Sequence, residues 1–526
     1  MTSTAAGPEQ PGLAAARTTG ANVVRGGIWN LVARVLPQAY VLIISVGAAR
    51  FLGPDGMGRQ SFIAFVALST TMFFTGGLAV AVMRFIGEEL GRDRPGAAIA
   101  LVRWAWRVAF VGAVVGAGVL LTVAVAGAEP QSAWALAGVG AAFGVLHTVP
   151  SALLIGVQRW RDATIAGLTT STVVVPATIV VLAAGGGITG MFAVGAAAGF
   201  ANLVITTLLA RRAMRSLGAP AQRIPSVERA TARYAAWSSL GVLLTFVIFR
   251  RSEFFFLDHY STDAEIALYS IPFAAIYALT LVFDATSGVV IPAFATLKGA
   301  GATDRIQSGY ERSLRLVTMA SLPIAAGVLA LGPETLRLVY GDEYTGTAPV
   351  LRLMAISLPF VPLMQMSNGV LAGLGLVRPS LVAGAVAAAV NVALAFVLIP
   401  AYDATGAALA NTGAQITIAL GIFGYTWKLA GAAPIDLPAI ARPAIASALA
   451  GAIAWLILSA LEGLPGVALG TVAGVAVFAL AGRLLGVLRD DDAQWLWNVS
   501  GERALGRLVR PACRVLAGTA ASEGRA

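Results

Sequence analysis

Long apolar runs recur along the chain between residues 27 and 488, and short polar segments separate them. A helix needs about 20 mostly apolar residues to cross the hydrocarbon core of a bilayer. The pattern therefore predicts an all-α polytopic membrane protein with about fourteen transmembrane helices. The predicted spans are 27–49, 61–84, 104–127, 133–157, 164–184, 188–210, 234–256, 267–294, 314–331, 348–371, 380–400, 405–427, 439–461 and 464–488.

Arginine and lysine are concentrated in alternate connections between these spans. Six arginines lie in 211–233, and four basic residues lie in 295–315. The connections 128–132 and 257–266 contain neither residue type. Because the cytoplasmic loops of membrane proteins are enriched in basic residues, we predict that both termini are cytoplasmic.

The composition agrees with a protein that faces lipid over most of its surface. Of its 526 residues, 58% are hydrophobic and 12% are charged, and the mean hydropathy is +0.81. Soluble domains are about 25% charged, because water must wet their surface. The formal net charge of +10 follows from the basic connections, so it does not require nucleic acid as a partner.

The sequence offers little for metal or cofactor chemistry. It has one cysteine, Cys513, and two histidines, His147 and His259, so neither an intrachain disulfide nor a histidine-rich metal site is expected. It contains no GxxxxGK loop, HExxH motif or CxxC motif. We therefore expect no catalytic residue, no bound metal and no cofactor. If the chain moves a solute across the membrane, we expect coupling to a proton, to sodium or to the membrane potential.

The two parts of the chain resemble each other in outline. Gly156-Val157-Gln158-Arg159 and Gly375-Leu376-Val377-Arg378 each precede an apolar span, a short turn and a helix of small residues. Repeats that enter the membrane in the same sense are related by an axis along the membrane normal. We predict two six-helix lobes around a central cavity, followed by an appended helix pair. The divisions are a disordered cytoplasmic tail at 1–24, a first lobe at 25–215, a basic cytoplasmic linker at 216–233, a second lobe at 234–430, the appended helices at 431–488 and a cytoplasmic tail at 489–526.

The C-terminal tail carries a basic stripe. Arg503, Arg507, Arg510 and Arg514 recur at helical spacing, and tryptophan and leucine residues lie nearby. This pattern predicts an amphipathic helix on the anionic inner leaflet. A loosely held tail is the alternative interpretation.

Polar residues inside the spans give the main clue to function, because each charge costs several kcal/mol in hydrocarbon and usually faces a polar cavity. Asn30, Arg34 and Gln38 lie at positions i, i+4 and i+8 of the first span, and Arg250 and Arg251 lie late in the seventh. Guanidinium groups bind phosphate through paired hydrogen bonds and stay charged at physiological pH. We predict that these five residues line a cationic cavity for an anionic headgroup.

Three acidic residues are candidates for balancing these arginines or for coupling transport to a cation or proton. Glu253 follows Arg250 by three positions, Asp258 lies just beyond the seventh span, and Asp284 lies in the eighth. A structural ion pair between Arg250 and Glu253 is the alternative. Arg84 ends the second span and is expected to be a flanking charge that reaches the interface.

Three short motifs, taken in their order, resemble the bacterial polysaccharide-transporter flippases. Arg50-Phe51-Leu52-Gly53-Pro54-Asp55-Gly56-Met57-Gly58 is similar to their R-x-LGP-x-x-x-G opening. Leu338-Val339-Tyr340-Gly341-Asp342-Glu343-Tyr344 is similar to their fGxxY loop. The stretch from Asn391 to Ala408 is similar to their N-x-x-L…LIP…GAA segment. The resemblance covers roughly residues 25–430.

This family belongs to the multidrug/oligosaccharidyl-lipid/polysaccharide superfamily. The resemblance implies two lobes that rock between inward-open and outward-open states, and it implies a transporter, not an enzyme. The implied substrate is an undecaprenyl-pyrophosphate-linked oligosaccharide, flipped across the bacterial inner membrane for surface polysaccharide synthesis. Implied partners are membrane lipids, a polysaccharide polymerase and glycosyltransferases.

The chain departs from the family pattern at two places. Members often have an Asp-Arg pair late in the seventh span, where this chain has Glu253-Phe254. Asp403 stands where they usually have glycine. The first departure leaves the substrate contacts of individual residues open.

Three alternative functions differ in the cavity or loops that they would need. A peptidoglycan-precursor flippase shares the problem of moving a pyrophosphate. A cation-coupled exporter of cationic drugs would favour an acidic or aromatic cavity, and the deep arginines argue against it. A membrane-embedded glycosyltransferase would need catalytic carboxylates or a long outer loop, and the longest predicted outer loop is 332–347.

Overall fold

The computed structural model describes residues 20–249, 252–376, 378–429 and 437–500, together with Leu516. Side chains within several helical stretches, including 20–35, 240–249 and 284–293, lie outside the described part.

The described residues form fifteen α-helices and one 3₁₀ turn, and they contain no strand. The helices are α1 (Gly20–Gly91), α2 (Pro95–Val125), α3 (Gln131–Gly156), α4 (Trp160–Ala183), α5 (Gly187–Ser216), α6 (Pro225–Phe249), α7 (Glu253–Tyr260), α8 (Asp263–Gly299), α9 (Thr303–Tyr340), α10 (Thr347–Ala355), α11 (Phe360–Gly373), α12 (Arg378–Leu429), α13 (Leu437–Ala460), α14 (Gly463–Leu484) and α15 (Asp490–Ser500); the 3₁₀ turn is Asp342–Tyr344.

The predicted all-α membrane fold is confirmed. Ten helical stretches of the described chain are long and apolar enough to cross a bilayer. Two of these, 38–91 and 378–429, belong to the helices α1 and α12, which each contain two predicted spans because the helical backbone breaks at Gly53 and at Asp403. The ten stretches therefore account for twelve predicted spans, and the other two predicted spans fall on α6–α7 and α8.

The predicted ninth span is too short. The sequence predicts a helix at 314–331 and an outer loop at 332–347, but α9 continues to Tyr340. Charged residues in the extension are paired within the helix, since Arg337 donates to both carboxylate oxygens of Glu334 at 2.6 and 2.8 Å. This pairing at i, i+3 supports helix where hydropathy alone predicts a loop.

The predicted linker is also mostly helical. The helix α5 continues to Ser216 and α6 begins at Pro225, so only a short connection remains of 216–233. The connection is held by a hydrogen bond of 2.8 Å from the Gln222 N–H to the Gly96 carbonyl. Arg223 pairs with Glu228 at 2.9 Å, which anchors the first turn of α6.

The helices pack as two groups joined by α1. In what we call the first half, residues 20–216, α3 packs against α1, α2 and α5, and α4 packs against α1 and α5. In the second half, residues 225–429, α11 packs against α8, α9 and α12. The long helix α1 also packs against α6 and α8, and α13 and α14 pack on each other and on α9. The helix α1 therefore carries most of the contact between the halves.

The last described helix docks on α9. The Asp492 carboxylate of α15 is almost fully buried and accepts hydrogen bonds from Arg312 at 2.9 Å and from Arg315 at 2.9 and 3.0 Å. The Arg312 guanidinium also lies 5.6 Å from the centre of the Trp495 ring. The start of the tail is thus held by the protein, while the predicted stripe at 503–514 lies outside the described residues.

The two breaks in the long helices differ in chemistry. Gly53 has φ 70° and ψ 179°, a region that is essentially restricted to glycine. Asp403 has φ 48° and ψ −129°, and its Oδ1 accepts a hydrogen bond of 2.6 Å from the Ser261 hydroxyl. Gly187, which occupies the related turn of the first half, also has a positive φ of 56°. A side-chain hydrogen bond therefore supports the aspartate where the family usually has glycine.

We predict that Gly53→Ala destabilises the protein, because alanine must adopt a glycine conformation at a cost of about 1–3 kcal/mol. Space does not limit this variant, since no atom lies within 4 Å of the added Cβ. Thermal unfolding of the detergent-solubilised protein, followed by tryptophan fluorescence, measures the effect. Gly118→Ala in α2 is the matched control, with equal space but ordinary helical backbone. Equal unfolding temperatures for the two variants would contradict the prediction.

Candidate functional site

Two of the three family motifs contact each other. Arg50 of the first motif donates hydrogen bonds to the carbonyls of Leu338 at 2.8 Å and Val339 at 3.0 Å. In return, the Tyr344 hydroxyl donates to the Ala49 carbonyl at 3.0 Å. We call the contacts of residues 45–61 with residues 258–270 and 338–344 the interlock. It joins the first half of the chain to the second.

The interlock includes one ion pair. Arg59 lies 3.2 Å from Asp258 and also donates to the Glu129 carbonyl at 2.7 Å. Asp258 is a candidate for balancing the deep arginines or for coupling, and among the described residues it pairs with Arg59 of the neighbouring helix. Burial raises the pKa of Asp258, an effect that the positive charge of Arg59 only partly offsets. As the pH falls, Asp258 therefore takes up a proton, and the ion pair is lost, at a higher pH than for an aspartate with an ordinary pKa.

Close packing surrounds these polar contacts. A Cβ atom on Gly58 would lie 1.6 Å from the Asp263 carbonyl oxygen, so α1 can approach the start of α8 only with glycine here. The buried hydroxyls of Ser61 and Ser270 are 3.3 Å apart. The Phe65 ring meets the Phe254 ring edge-on at 5.2 Å. This end of the junction between the halves is therefore closed by packed side chains.

A second contact between the halves lies further along α1. The Gly77 N–H donates to the Ser239 hydroxyl of α6 at 3.2 Å. The Arg84 guanidinium lies 4.5 Å from the centre of the Tyr234 ring, and the Phe85 and Tyr234 rings are 6.1 Å apart. The exposed Arg84 side chain therefore lies against an aromatic ring of the second half, and this position is compatible with the expected flanking charge.

A buried carboxylate lies between the two contacts, at the start of α7. Glu253 has no solvent exposure, and its Oε1 accepts hydrogen bonds from Asn391 at 2.7 Å and Asn411 at 2.9 Å. The network continues from Asn391 to Ser252 and from Asn411 to Gln415. The two asparagines come from the two segments of α12 on either side of Asp403. Glu253 thus binds together the helix pair that follows α11.

The two oxygens of the Glu253 carboxyl group differ in their hydrogen bonding. Glu253 Oε2 accepts no well-aligned hydrogen bond from the described residues, although the Tyr269 hydroxyl faces the same group. Among the described residues, no group of three His, Cys, Asp or Glu side chains is placed to hold a metal ion. A carboxyl group buried in this way avoids a charge in a dry setting when it carries a proton.

The other predicted site residues have different outcomes. Gln38 lies in α1 and is half-buried. Asn30 and Arg34 lie in the same helix, but their side chains lie outside the described part, as does that of Asp284 in α8. Arg250 and Arg251 are themselves outside the described residues. The cationic cavity therefore stays a prediction.

A cavity of about 750 Å³ lies where α1, α8 and α9 meet the α13–α14 pair. Leu42, Ile276 and Val328 form part of its wall, and Ala454 and Val475 of the appended pair form another part. None of the described residues that line it carries a formal charge. An apolar chain suits such a space better than a sugar or phosphate group does.

Solved structures define the class of this fold. The chain is similar to the lipid II flippase MurJ in an inward closed conformation, with a TM-score of 0.67 and 12% identity over 87% of this chain and 98% of that one. It is also similar to an inward-facing multidrug resistance MATE family transporter, with a TM-score of 0.65 and 16% identity over 78% and 98%. A third similar structure is a transporter from Pyrococcus furiosus, with a TM-score of 0.55 and 16% identity over 78% and 95%. The fold is that of a transporter of the MOP superfamily.

The sequence model of the polysaccharide biosynthesis protein family, Polysacc_synt_3, matches residues 48–349, which is more than half of the chain. The matched segment begins just before Arg50 and ends just after Tyr344, so it contains both sides of the interlock. The chain belongs to this family. No curated protein sequence gives a significant match.

Sequence reasoning found Glu253 but missed the residues that hold it. Asn391 and Asn411 are 138 and 158 positions away along the chain. The available signal was Asn391 itself, a polar residue in an apolar run at the head of the third motif. Arg59 was missed because it follows the conspicuous glycine-rich motif and lies outside the spans.

We predict that the double variant Ser61→Cys/Ser270→Cys forms a disulfide on mild oxidation, because the two hydroxyls already lie 3.3 Å apart in a buried contact and sulfur atoms can close to about 2.05 Å. Cys513→Ser provides the background, since it removes the natural cysteine. Mass spectrometry of the alkylated protein counts the remaining free thiols. Each single-cysteine variant is a control. Two free thiols after oxidation of the double variant would contradict the close contact between positions 61 and 270.

Proposed function

We propose that the protein flips an undecaprenyl-pyrophosphate-linked oligosaccharide from the cytoplasmic to the outer leaflet for cell-surface polysaccharide synthesis. The family match supports a role in polysaccharide biosynthesis. The observation that carries the choice of a lipid-linked substrate is the uncharged cavity beside α13 and α14. A polyisoprenoid tail already lies in hydrocarbon, so an apolar wall can accept it without the desolvation cost that charged or polar lining residues would add.

The headgroup needs a different environment from the tail. Arg34 and Gln38 lie on the helix that also contributes Leu42 and Val46 to the apolar cavity. A headgroup pyrophosphate bound by Arg34 would leave the attached tail within reach of that cavity, since the eight residues of helix from Arg34 to Leu42 span about 12 Å. Arg250 and Arg251 are the predicted partners for the second phosphate.

Alternation of access follows from the two contacts between the halves. With the predicted orientation, the interlock lies at the outer side and closes the path there. Opening toward the outside requires the loss of the Arg50 and Tyr344 hydrogen bonds and of the Arg59–Asp258 ion pair. Opening toward the cytoplasm requires separation of Gly77 from Ser239 and of Arg84 from Tyr234. Both sets of contacts are formed in this structure, and rocking of the halves would break one set while the other set stays closed.

A peptidoglycan precursor is the second candidate substrate, and the similarity of fold to the lipid II flippase favours it. It shares the polyisoprenoid tail and the pyrophosphate, so the cavity and the arginines suit both substrates equally. A multidrug exporter has the same fold class, but the predicted arginines would repel a cationic drug.

The test is transport by purified protein in proteoliposomes. We expect movement of a fluorescent undecaprenyl-pyrophosphate oligosaccharide and no efflux of a cationic dye. Arg34→Ala should reduce transport at least about tenfold, which corresponds to the loss of about 1.4 kcal/mol of phosphate binding. Arg103→Ala, an exposed arginine of α2, is the matched control. Unchanged flipping by Arg34→Ala, or transport of the dye alone, would refute the proposal.

We also propose that Glu253 is the site of energy coupling. It is the fully buried carboxylate of the described chain that lies where α7 and both segments of α12 meet. Addition of a proton or of Na⁺ at this group would compensate a charge in a dry setting. The same event would change the hydrogen bonds from Asn391 and Asn411, and so the packing of α12 against α7.

We predict that Glu253→Gln abolishes the dependence of transport on a proton or sodium gradient. Glutamine can still accept hydrogen bonds from the two asparagines, so the fold should be retained. Transport rates measured with and without each gradient give the readout, and the exposed Glu343→Gln is the control. Full gradient dependence in Glu253→Gln would exclude this residue as the coupling site.

A further inference from the structure

A second cavity lies on the outside of the bundle, between the two segments of α12. Its volume is about 880 Å³. Arg378, Val382 and Val386 line it from the first segment, at positions i, i+4 and i+8. Thr417, Gly421 and Tyr425 line it from the second segment, at the same spacing. We call this cavity the α12 groove.

The groove is shaped by small residues and bordered by exposed apolar ones. A Cβ on Gly421 would lie 3.3 Å from the Ala383 Cβ, so the two segments approach closely at its floor. Val382 is 65% exposed, Val386 is 51% exposed and Tyr425 is 47% exposed. Exposed apolar side chains on spanning helices face hydrocarbon, and an acyl chain fills a groove in such a surface because water is absent there.

Positive charge lies at one end of the groove. Arg378 begins α12, is exposed, and has no acidic partner among the described residues. The Lys298 ammonium donates to the Leu374 carbonyl at 2.6 Å, next to Gly375 of the groove wall. Lys428 follows Tyr425 by three positions and is also exposed. The connection between α11 and α12 is predicted to be cytoplasmic, on the leaflet where anionic lipids are enriched.

We propose that the α12 groove binds an anionic phospholipid of the bilayer. Its phosphate lies at the Arg378 guanidinium, which offers paired donors, and the Tyr425 hydroxyl is positioned for the ester region. One acyl chain follows Val382 and Val386 for about 12 Å, the rise of eight helical residues. The site is separate from the cavity beside α13 and α14, whose lining residues it does not share.

The lipid would stabilise the part of α12 that matters for coupling. Asn391 and Asn411, which hold Glu253, lie on the same two segments that form the groove. A chain lying between these segments fills space that would otherwise leave them free to shift against each other. Occupancy of the groove should therefore raise the stability of the second half.

Native mass spectrometry of the full-length protein in detergent tests the proposal with phosphatidylglycerol and phosphatidylcholine of identical chains. The wild type should bind phosphatidylglycerol more tightly. Arg378→Gln should weaken that lipid about fivefold, as expected for about 1 kcal/mol per basic residue, and leave phosphatidylcholine unchanged. Arg103→Gln is the matched control. Val382→Trp, which fills the groove from an exposed position, should weaken both lipids.

Three results would overturn the proposal. The first is equal binding of the two lipids by the wild type. The second is an Arg378→Gln variant that behaves like Arg103→Gln while its unfolding temperature and gel-filtration profile match the wild type. The third is displacement of phosphatidylglycerol by equimolar undecaprenyl pyrophosphate, which would assign the groove to the transport substrate. Retention of phosphatidylglycerol under that competition supports a structural lipid.

Discussion

The junction between the halves depends on backbone carbonyls near helix breaks and helix ends. The final turn of α9 leaves carbonyl groups without partners in the helix, and Arg50 of the other half supplies them with donors. Tyr344 does the same for Ala49, close to the break at Gly53. Each half therefore completes the hydrogen bonding of the other. Separation of the two halves breaks these hydrogen bonds and exposes their polar groups. In a bilayer this can happen only where water enters and supplies new hydrogen bonds.

This constraint explains how polar and apolar functions are divided. Where the halves meet, hydrogen bonds and the Arg59–Asp258 pair can be exchanged for water as a path opens. The Glu253 network lies within the second half, where its contacts need not break when the halves separate. The uncharged cavity lies at the edge of the bundle, beside helices that face hydrocarbon. The polar contacts of the interlock, the buried Glu253 network and the uncharged cavity thus occupy three different environments.

Hydropathy identifies the spans well because the bilayer sets both their length and their composition. It fails where charged residues pair within a helix. Glu334 and Arg337 lower the local hydropathy, so hydropathy predicts a loop where the chain is helical. Resemblance locates Arg50 and Tyr344 but gives no sign that they touch. Partners such as Arg59 and Asp258, 199 positions apart, depend on how distant helices come together. A single sequence contains no direct record of that packing.

The continuity of α9 has a mechanical consequence. Its 38 residues, which include Pro323 and Pro333, span up to about 57 Å at 1.5 Å per residue. One end is gripped by Arg50, the middle lines the apolar cavity, and Arg312 and Arg315 near the other end hold the tail helix through Asp492. A displacement of the tail helix would therefore act on the Arg50 contacts through the same helix, with Pro323 and Pro333 as the points where that helix can bend.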